Sequence, residues 1–563
     1  MNKISLCLIV GNVEDYIERC LKSFLPIASE VCLVRAIGNQ TPDRTFEIAA
    51  SVMEGRGIPI KTAEYKNAVA NSEWNHVDDF SKARQKSFDI ASNDWCMWVD
   101  TDDILEKGAE TILELSQDKE LDAALFPYNI FGQGLNLPRE RLVRKSKGKW
   151  NHPVHECFDF TNPINMKVEM DVVITHLPHL TKRGGHERNL RILRSIPLET
   201  MNPGLIYHFQ CELSRSGNVI EAQEVAKVAL ANKDIGPSER CEIFMNLFAV
   251  AKDPKTKEAL LHHAYAADPR RREALGLLVG HSLDYGKNEH AISYARQMMA
   301  TPTPRDRTWN HRQSLYSWLG DEVYCQALRG NGLFTEAEYI RRESLKRAGG
   351  PRIALIHATR GRPQQAAKAR KLWFDYADKP EQVEHIFVSD ADDILSQSLE
   401  RFHRVVIPSG GGCVAAWNAG VHATEADIII AIADDVSPCL MWDKIIMDRL
   451  DPKSQKVLSV SDGHRTDKLI CHPIFTRAYW RMNGHLYNPR FKSMFCDNWF
   501  TEQAYARRAV IEAKDVVFEH NHPAFGTAKM DRTYADSNHQ SRYEEGFNIL
   551  EDLRKTLGNG APA

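Results

Sequence analysis

The chain has 563 residues, a net charge of −3, 43% hydrophobic residues and 26% charged residues. That length is too great for one core and calls for about three domains of ordinary soluble composition. The charge balance excludes the bulk basicity that marks nucleic-acid binding, and no stretch reaches the ~18 apolar residues of a membrane span.

Ile4 to Val10 reads as a buried strand, too short for a signal peptide and without a small-residue cleavage site after it. Val13, Ile17, Cys20, Leu21, Phe24 and Leu25 follow helical spacing. Glu30 to Val34 reads as a second strand, Thr45 onward as a helix, and Phe80 to Ser92 as another helix. Strands alternating with helices imply a mostly parallel sheet. Trp95 to Val99 is an apolar run that stops at Asp100-Thr101-Asp102-Asp103. Carboxylates so close repel unless a cation or proton lies between them, and hard oxygen ligands suit magnesium or manganese. A solvated acidic turn is the alternative. The twelve cysteines form no C-x-x-C pair. Cys7, Cys32 and Cys96 lie inside apolar runs and read as reduced core residues of a cytoplasmic protein.

Ile4–Val10, Asp43-Arg44-Thr45, Asp79 to Arg84, and Trp98 to Asp103, in that order, resemble family 2 glycosyltransferases of the GT-A fold. The resemblance implies a nucleotide-sugar donor, Mn2+ or Mg2+, and sugar transfer. It places Arg84 and Asp100 at the donor and Asp102 on the metal. Trp150 to Glu156 resembles a V-H-E segment of one branch, which makes Glu156 a candidate base. His176 either completes the metal site or caps a strand end. Arg139, Arg141 and Arg144 either steer phosphates or form a solvated basic loop. Ala36 stands where the family usually has an aspartate for the donor base or ribose.

From residue 198 the pattern turns helical. Gly217 precedes Ala222 by five residues, Gly286 precedes Ala291, and Gly332 precedes Ala337. The arrangement resembles degenerate tetratricopeptide repeats, with Gly at the inter-helix turn and Ala where helices touch. An unrelated bundle is the alternative. Such a region would orient its neighbours or hold a partner protein.

From Arg352 the strand–helix order starts afresh: Arg352 to Ala358, a helix from Gln364 to Tyr376, Val383 to Val388 ending in Ser389 to Asp393, Val405 to Ile407, and Asp427 to Ala433 ending in Asp434-Asp435. This resembles a second family 2 domain. It implies that Asp390 or Asp392 takes the donor base, that Arg360 and Arg362 pair with the diphosphate, that Asn418 and the glycine run 410–412 face the donor, and that Asp434 and Asp435 bind donor and metal. Asp497 is the candidate base, with a helix N-cap as its alternative. His520 and His522 are candidate metal ligands. At i and i+2 they are expected to point to opposite sides, so that only one reaches the metal. Lys529 and Arg532 would close over the donor, and Tyr543 to Leu557 reads as a helix.

The expected architecture is α/β: GT-A domains at 1–197 and 349–563 flanking an all-α repeat-like domain at 198–348. The expected function is metal-dependent, inverting transfer from a nucleotide sugar to an acceptor hydroxyl, possible in both domains. The alternative is that only the C-terminal domain acts, while the rest binds acceptor or partner. Protein, glycan, lipid head and modified DNA base all stay open as acceptors.

Overall fold

The computed structural model describes residues 4–130, 135–161, 163–177, 185–304, 311–350, 352–537 and 539–558. The chain divides into two compact units: Met1–His281 with Ala300–Tyr316, and Ser282–Met299 with Ser317–Ala563. The helical stretch is thereby shared between them.

The first unit contains β1 (Ile4–Val10), β2 (Glu30–Arg35), β3 (Ile60–Glu64), β4 (Trp95–Val99), β5 (Asp103–Lys107), β6 (Ala123–Ile130), β7 (Leu135–Arg144), β8 (Gly148–Asn151), β9 (Cys157–Phe160), β10 (Met166–Val168) and β11 (Val173–His176). The main sheet runs β3-β2-β1-β4-β7-β6-β11-β5, with β10 also on β6. The half from β3 to β4 is parallel, as the strand–helix alternation predicts. Beyond β4 the sheet is mixed, because β7 is antiparallel to both β4 and β6. Period two sends Ile4, Leu6, Leu8 and Val10 of β1 to one core and Cys7 to the other. On the first face Ile17, Cys20, Leu21 and Phe24 of the helix Ile17–Phe24 are all buried. Each large apolar side chain buried there contributes about 1.5–3 kcal/mol. The helix expected over 80–92 ends at Asp89, where Ile90 caps it. β1 has β2 on one side and β4 on the other, so the chain reverses its order of addition there. Ligands bind at the C-terminal ends of strands at such a point.

Antiparallel helix pairs follow. Pro203–Arg215 packs on Val219–Ala231, and Pro237–Val250 on Pro254–Ala267. Gly217, at φ +72°, makes the first inter-helix turn in a conformation that a side chain would strain, and Ala222 is fully buried after it. Asn202 and Asp253 cap helices by accepting from Leu205 and Thr256 N–H groups. Glu212, on the first of these helices, is 1% exposed and accepts from His155 at 3.0 Å, His186 at 2.6 Å and Asn189 at 2.9 Å. Burial opposes its charge, but those hydrogen bonds from His155, Asn189 and His186 outweigh it and hold the carboxyl down to about 2. A carboxyl held below its ordinary 4.5 gives its full stabilisation above pH 4.5 and loses it as pH falls toward 2. Glu212→Gln is therefore expected to flatten the fall of Tm between those pH values. An unchanged slope in thermal melts would assign the acid loss to another group.

The second unit contains the helix pair Trp318–Gly330 and Phe334–Arg347, followed by β12 (Ile353–Ala358), β13 (Val383–Asp390), β14 (Arg404–Ile407), β15 (Ile428–Ile432), β16 (Val436–Ser437), β17 (Val457–Ser461), β18 (Ile474–Thr476), β19 (Val510–Val517) and β20 (Glu519–His520). Its sheet runs β14-β13-β12-β15-β18-β17-β19. β12 is parallel to β13 and β15, and β18 returns antiparallel on β15. The first four strands thus repeat the order 3-2-1-4, with an antiparallel strand next. The helix Gly412–His422 lies close on this sheet because Gly420 has no side chain: a Cβ there would sit 2.2 Å from Ile356.

Among the described residues no helix is long and apolar enough to cross a membrane.

Candidate functional site

In the first unit the carboxylates lie at the C-terminal end of β4, beside the end of β1. Asp103 is fully buried. Its carboxylate accepts from Arg141 Nη1, Tyr128 Oη and the Asp100 N–H, each at 3.0 Å, and lies 3.1 Å from His176 Nδ1. Asp103 therefore fixes the turn and the imidazole. Arg141 does not steer phosphates: it is fully buried, with its guanidinium 3.7 Å from the Trp98 ring centre and 4.1 Å from that of Tyr128.

Asp102 Oδ1 sits 3.4 Å from His176 Nδ1. Burial, then the neighbouring Asp100 and Asp103, push the Asp102 carboxyl up to about 6 against the pull of His176. Burial works against a charged His176, but Asp103, Asp102 and Asp100 together raise its pKa. Among the described residues, Asp102, Asp103 and His176 are the group whose ligand atoms lie within 4.8 Å of one another. Two carboxylates and an imidazole this crowded need a proton or a cation, and their donor set suits a hard divalent ion.

Arg84 and Glu156 depart from their expected roles. Arg84 is 5% exposed, and its Nη2 donates to Asp100 at 2.6 Å while its Nε donates to Glu156 at 2.5 Å. The rings of Trp98 and Trp150 lie 4.5 and 5.3 Å from its guanidinium. It is a bridge between carboxylates, not an open phosphate ligand. Although burial opposes it, Arg84, then Arg141, hold the Asp100 carboxyl well below the usual range. Glu156 reaches this bridge because His155, at φ +55°, turns the backbone and binds Glu212. Sequence reasoning missed Arg188. Burial pulls its guanidinium below the usual range, with Glu156, Glu212 and Asp100 acting the other way. No motif marks it, since its helix lies outside the four matched segments.

In the second unit an open cleft of about 1610 Å³ gathers Arg360, Arg362, Asp390, Asp392, Asp434, Asp435, Asp497, His520 and His522. Asn418 is absent from its lining. The Asn418 amide accepts from Leu486 and Tyr487 N–H groups and donates to the Tyr487 carbonyl at 2.8 Å, so it pins that loop. In the glycine run, Gly412 gives room to the Lys492 carbonyl, which a Cβ would approach to 2.4 Å. Arg360 and the two candidate base-binding aspartates pair with each other: Arg360 Nη1 lies 2.7 Å from Asp390 and 2.9 Å from Asp392. Hydrogen bonds from Arg360 hold Asp392 down to about 2. Arg362 binds Asp531 at 2.5 Å, and its guanidinium lies 3.8 Å from the Tyr534 ring centre.

The two adjacent aspartates after β15 differ. Asp434 is tied back into the sheet, 2.9 Å from His357 Nε2 and accepting from Thr359 at 3.2 Å. Asp435 faces the other way. Its Oδ2 accepts from Tyr534 Oη at 2.8 Å and lies 3.6 Å from His520 Nε2. Burial opposes its charge, but His520 and Tyr534 hold it down to about 2. Its Oδ1 is buried with no partner, an orphaned oxygen that a cation would satisfy. His520 is placed by the β16–β20 pairing of Val436 with His520. The expectation that His520 and His522 point apart fails: their ring centres lie 5.2 Å apart and both line the cleft. β20 ends at His520, and His522 has already left the strand to start a 3-10 turn, so strand alternation does not govern the pair. Asp497 is not an N-cap. The helix Cys496–Ala506 is capped by Phe495 at φ +67°, and burial pushes the Asp497 carboxyl up. Tyr534 had no sequence signal, being 99 residues from the aspartate it binds.

Residues 5–168 match the model of Glycosyl transferase family 2. The first domain is a glycosyltransferase domain. A TPR repeat-containing protein of Synechococcus elongatus is 27% identical over 165 residues, 28% of this chain and 36% of the relative, so the chain spans about a third of that protein. Solved structures are more distant. S. aureus TarS residues 1–349 in complex with UDP are 13% identical, with 47% of this chain and 88% of that one covered and a TM-score of 0.25. A mannosyltransferase from Pyrobaculum calidifontis with GDP-Man and Mn2+ is 12% identical, with 43% and 87% covered and a TM-score of 0.25. At such scores these likenesses carry nothing further. The glycosyltransferase assignment rests on the family match, and a helical region is consistent with the repeat-containing relative.

Proposed function

We propose that the chain moves a sugar from a nucleotide-sugar donor to an acceptor hydroxyl at the rims of two GT-A-type sheets, residues 1–197 and 349–563, with the helix pairs of 198–348 between them in sequence. The observation that carries this reading is the shared placement of carboxylates. In each sheet they follow the strand beside the first strand, at the point where strand order reverses: Asp102 after β4, and Asp434 and Asp435 after β15. Asp102 with His176, and Asp435 with His520 and His522, are the residues that would hold Mn2+ or Mg2+. Such an ion, when bound, neutralises the diphosphate as it departs. Asp497, half-buried at the cleft wall with its pKa raised, would take the acceptor's proton, and attack in line would invert the anomeric carbon. Arg360 would exchange its aspartates for phosphate oxygens.

A second reading has a specific observation behind it. Glu156 is already bound to Arg84 and would have to leave that bridge to reach an acceptor hydroxyl. With Ala36 in place of an acid, the first domain would then bind acceptor or partner and the second would carry turnover. A screen across nucleotide sugars, reading release of nucleoside diphosphate without acceptor, tests both readings. Slow hydrolysis of one donor, abolished by a chelator, is expected. The absence of both hydrolysis and a thermal shift, with every donor tried, would remove the proposal.

A further inference from the structure

One side chain of the second unit touches candidate site residues from three separate segments. Tyr534, in the short helix Arg532–Ser537, is buried and lines the cleft. Its Oη donates to Asp435 Oδ2 at 2.8 Å. Its ring centre lies 3.8 Å from the Arg362 guanidinium, and its ring meets that of His522 edge-on at 4.8 Å. Arg362 follows β12, Asp435 follows β15 and His522 follows β20. β12 and β15 are parallel neighbours, so their C-terminal loops open on one rim.

The hydroxyl and the ring act on different partners. A phenol has one proton to give. The Asn521 carbonyl lies 3.2 Å from Oη, but the Asp435 carboxylate is nearer and charged, so the proton goes to Oδ2. The Asn521 N–H donates to the Asp435 carbonyl at 2.8 Å. Asp435 is thereby held at its backbone and at one carboxylate oxygen, which fixes the rotation of the carboxylate. The ring, for its part, attracts the Arg362 guanidinium through its π electrons. Asp531 accepts from Arg362 Nη2 at 2.5 Å and from the Tyr534 N–H at 2.9 Å, so it ties the arginine to the tyrosine's own helix. In that ion pair Asp531 is the open member, its side chain 40% exposed against 9% for Arg362. A diphosphate would displace Asp531 while the ring keeps the guanidinium in place.

We infer that Tyr534 is a positioning residue for the donor's diphosphate: its hydroxyl sets the Asp435 carboxylate for the divalent cation, and its ring sets Arg362 for the phosphates. The inference rests on the sugar-transfer reading of the second rim. It assigns to one side chain the spacing between the cation's carboxylate and the guanidinium.

The test uses the full chain carrying Asp102→Asn, so that the second rim is the one titrated. The probes are Mn2+ alone and metal-free inorganic pyrophosphate, each followed by calorimetry. Tyr534→Phe keeps the ring and loses the hydroxyl. It is expected to weaken Mn2+ by about 10–100-fold, the usual cost of removing a hydrogen-bond partner from a metal-binding carboxylate, and to leave pyrophosphate unchanged. Tyr534→Leu loses the ring as well and should also weaken pyrophosphate, by about 2–5-fold. Tm of each variant, measured alongside, reports folding. Mn2+ affinity unchanged in Tyr534→Phe, or a fall in Tm with both affinities intact, would overturn the inference and leave the sugar-transfer reading standing. A parent chain that binds neither probe would remove both.

Discussion

Arg141→Met is expected to destabilise the first unit by about 3–5 kcal/mol, the cost of leaving a buried charge without its partner. Arg141 and Asp103 are both fully buried and 3.0 Å apart. Removing the guanidinium leaves the Asp103 carboxylate with Tyr128, the Asp100 N–H and His176, hydrogen-bonded but with its main counter-charge gone. It also empties the space against Trp98. Urea unfolding of the first unit, followed by tryptophan fluorescence, measures the loss. Adding Asp103→Asn should return part of it, because removing both members of a buried pair costs less than removing one. A loss below 1 kcal/mol in the single variant would mean that water reaches Asp103. The effect reaches the site because Asp103 also orients His176, and through it Asp102.

Much of this could be read from residue types, and the rest fails for identifiable reasons. β1, β2, β4, β12, β13 and β15 are legible because both of their faces are buried, which demands unbroken apolar runs. The positions of Gly217 and Ala222 are legible because a left-handed turn and a close helix contact each select a small residue. β6 and β7 have no such signature. Pro127 pairs with Pro138, and Arg139 to Arg144 carries charge through a strand. That same run hides the role of Arg141, since an isolated arginine reads as solvated until a carboxylate, a tyrosine and a tryptophan are folded around it. Asp103 and Asn418 look like ligands because their chemistry suits ligands. Only the fold shows that backbone N–H groups, side chains and carbonyls of this chain already use them. Tyr534 and Arg188 reach their sites from distant segments, and no local pattern encodes such contacts.

Asp435→Asn is expected to lower kcat/KM for donor turnover in the second domain by at least ~10²-fold, the scale on which charge placed at a departing diphosphate acts. Asparagine keeps the volume and can still accept from Tyr534, so folding should be spared and the charge alone lost. Asp434→Asn is the informative neighbour. Its carboxylate is held by His357 and Thr359, so this change should cost more in Tm and less in turnover than Asp435→Asn. Asp102→Asn asks the same of the first domain, where the carboxyl shares a crowded pocket with Asp103 and His176 and the amide relieves that crowding. A gain in Tm together with a loss of metal-dependent binding of nucleoside diphosphate is therefore expected there. Steady-state release of nucleoside diphosphate and calorimetric binding, measured on all three variants, separate the readings. Loss only with Asp435→Asn would leave the first domain as a binding module, as the Arg84–Glu156 bridge favours. Loss with both would make two working rims. Loss with neither would show that these carboxylates hold the fold rather than the sugar donor.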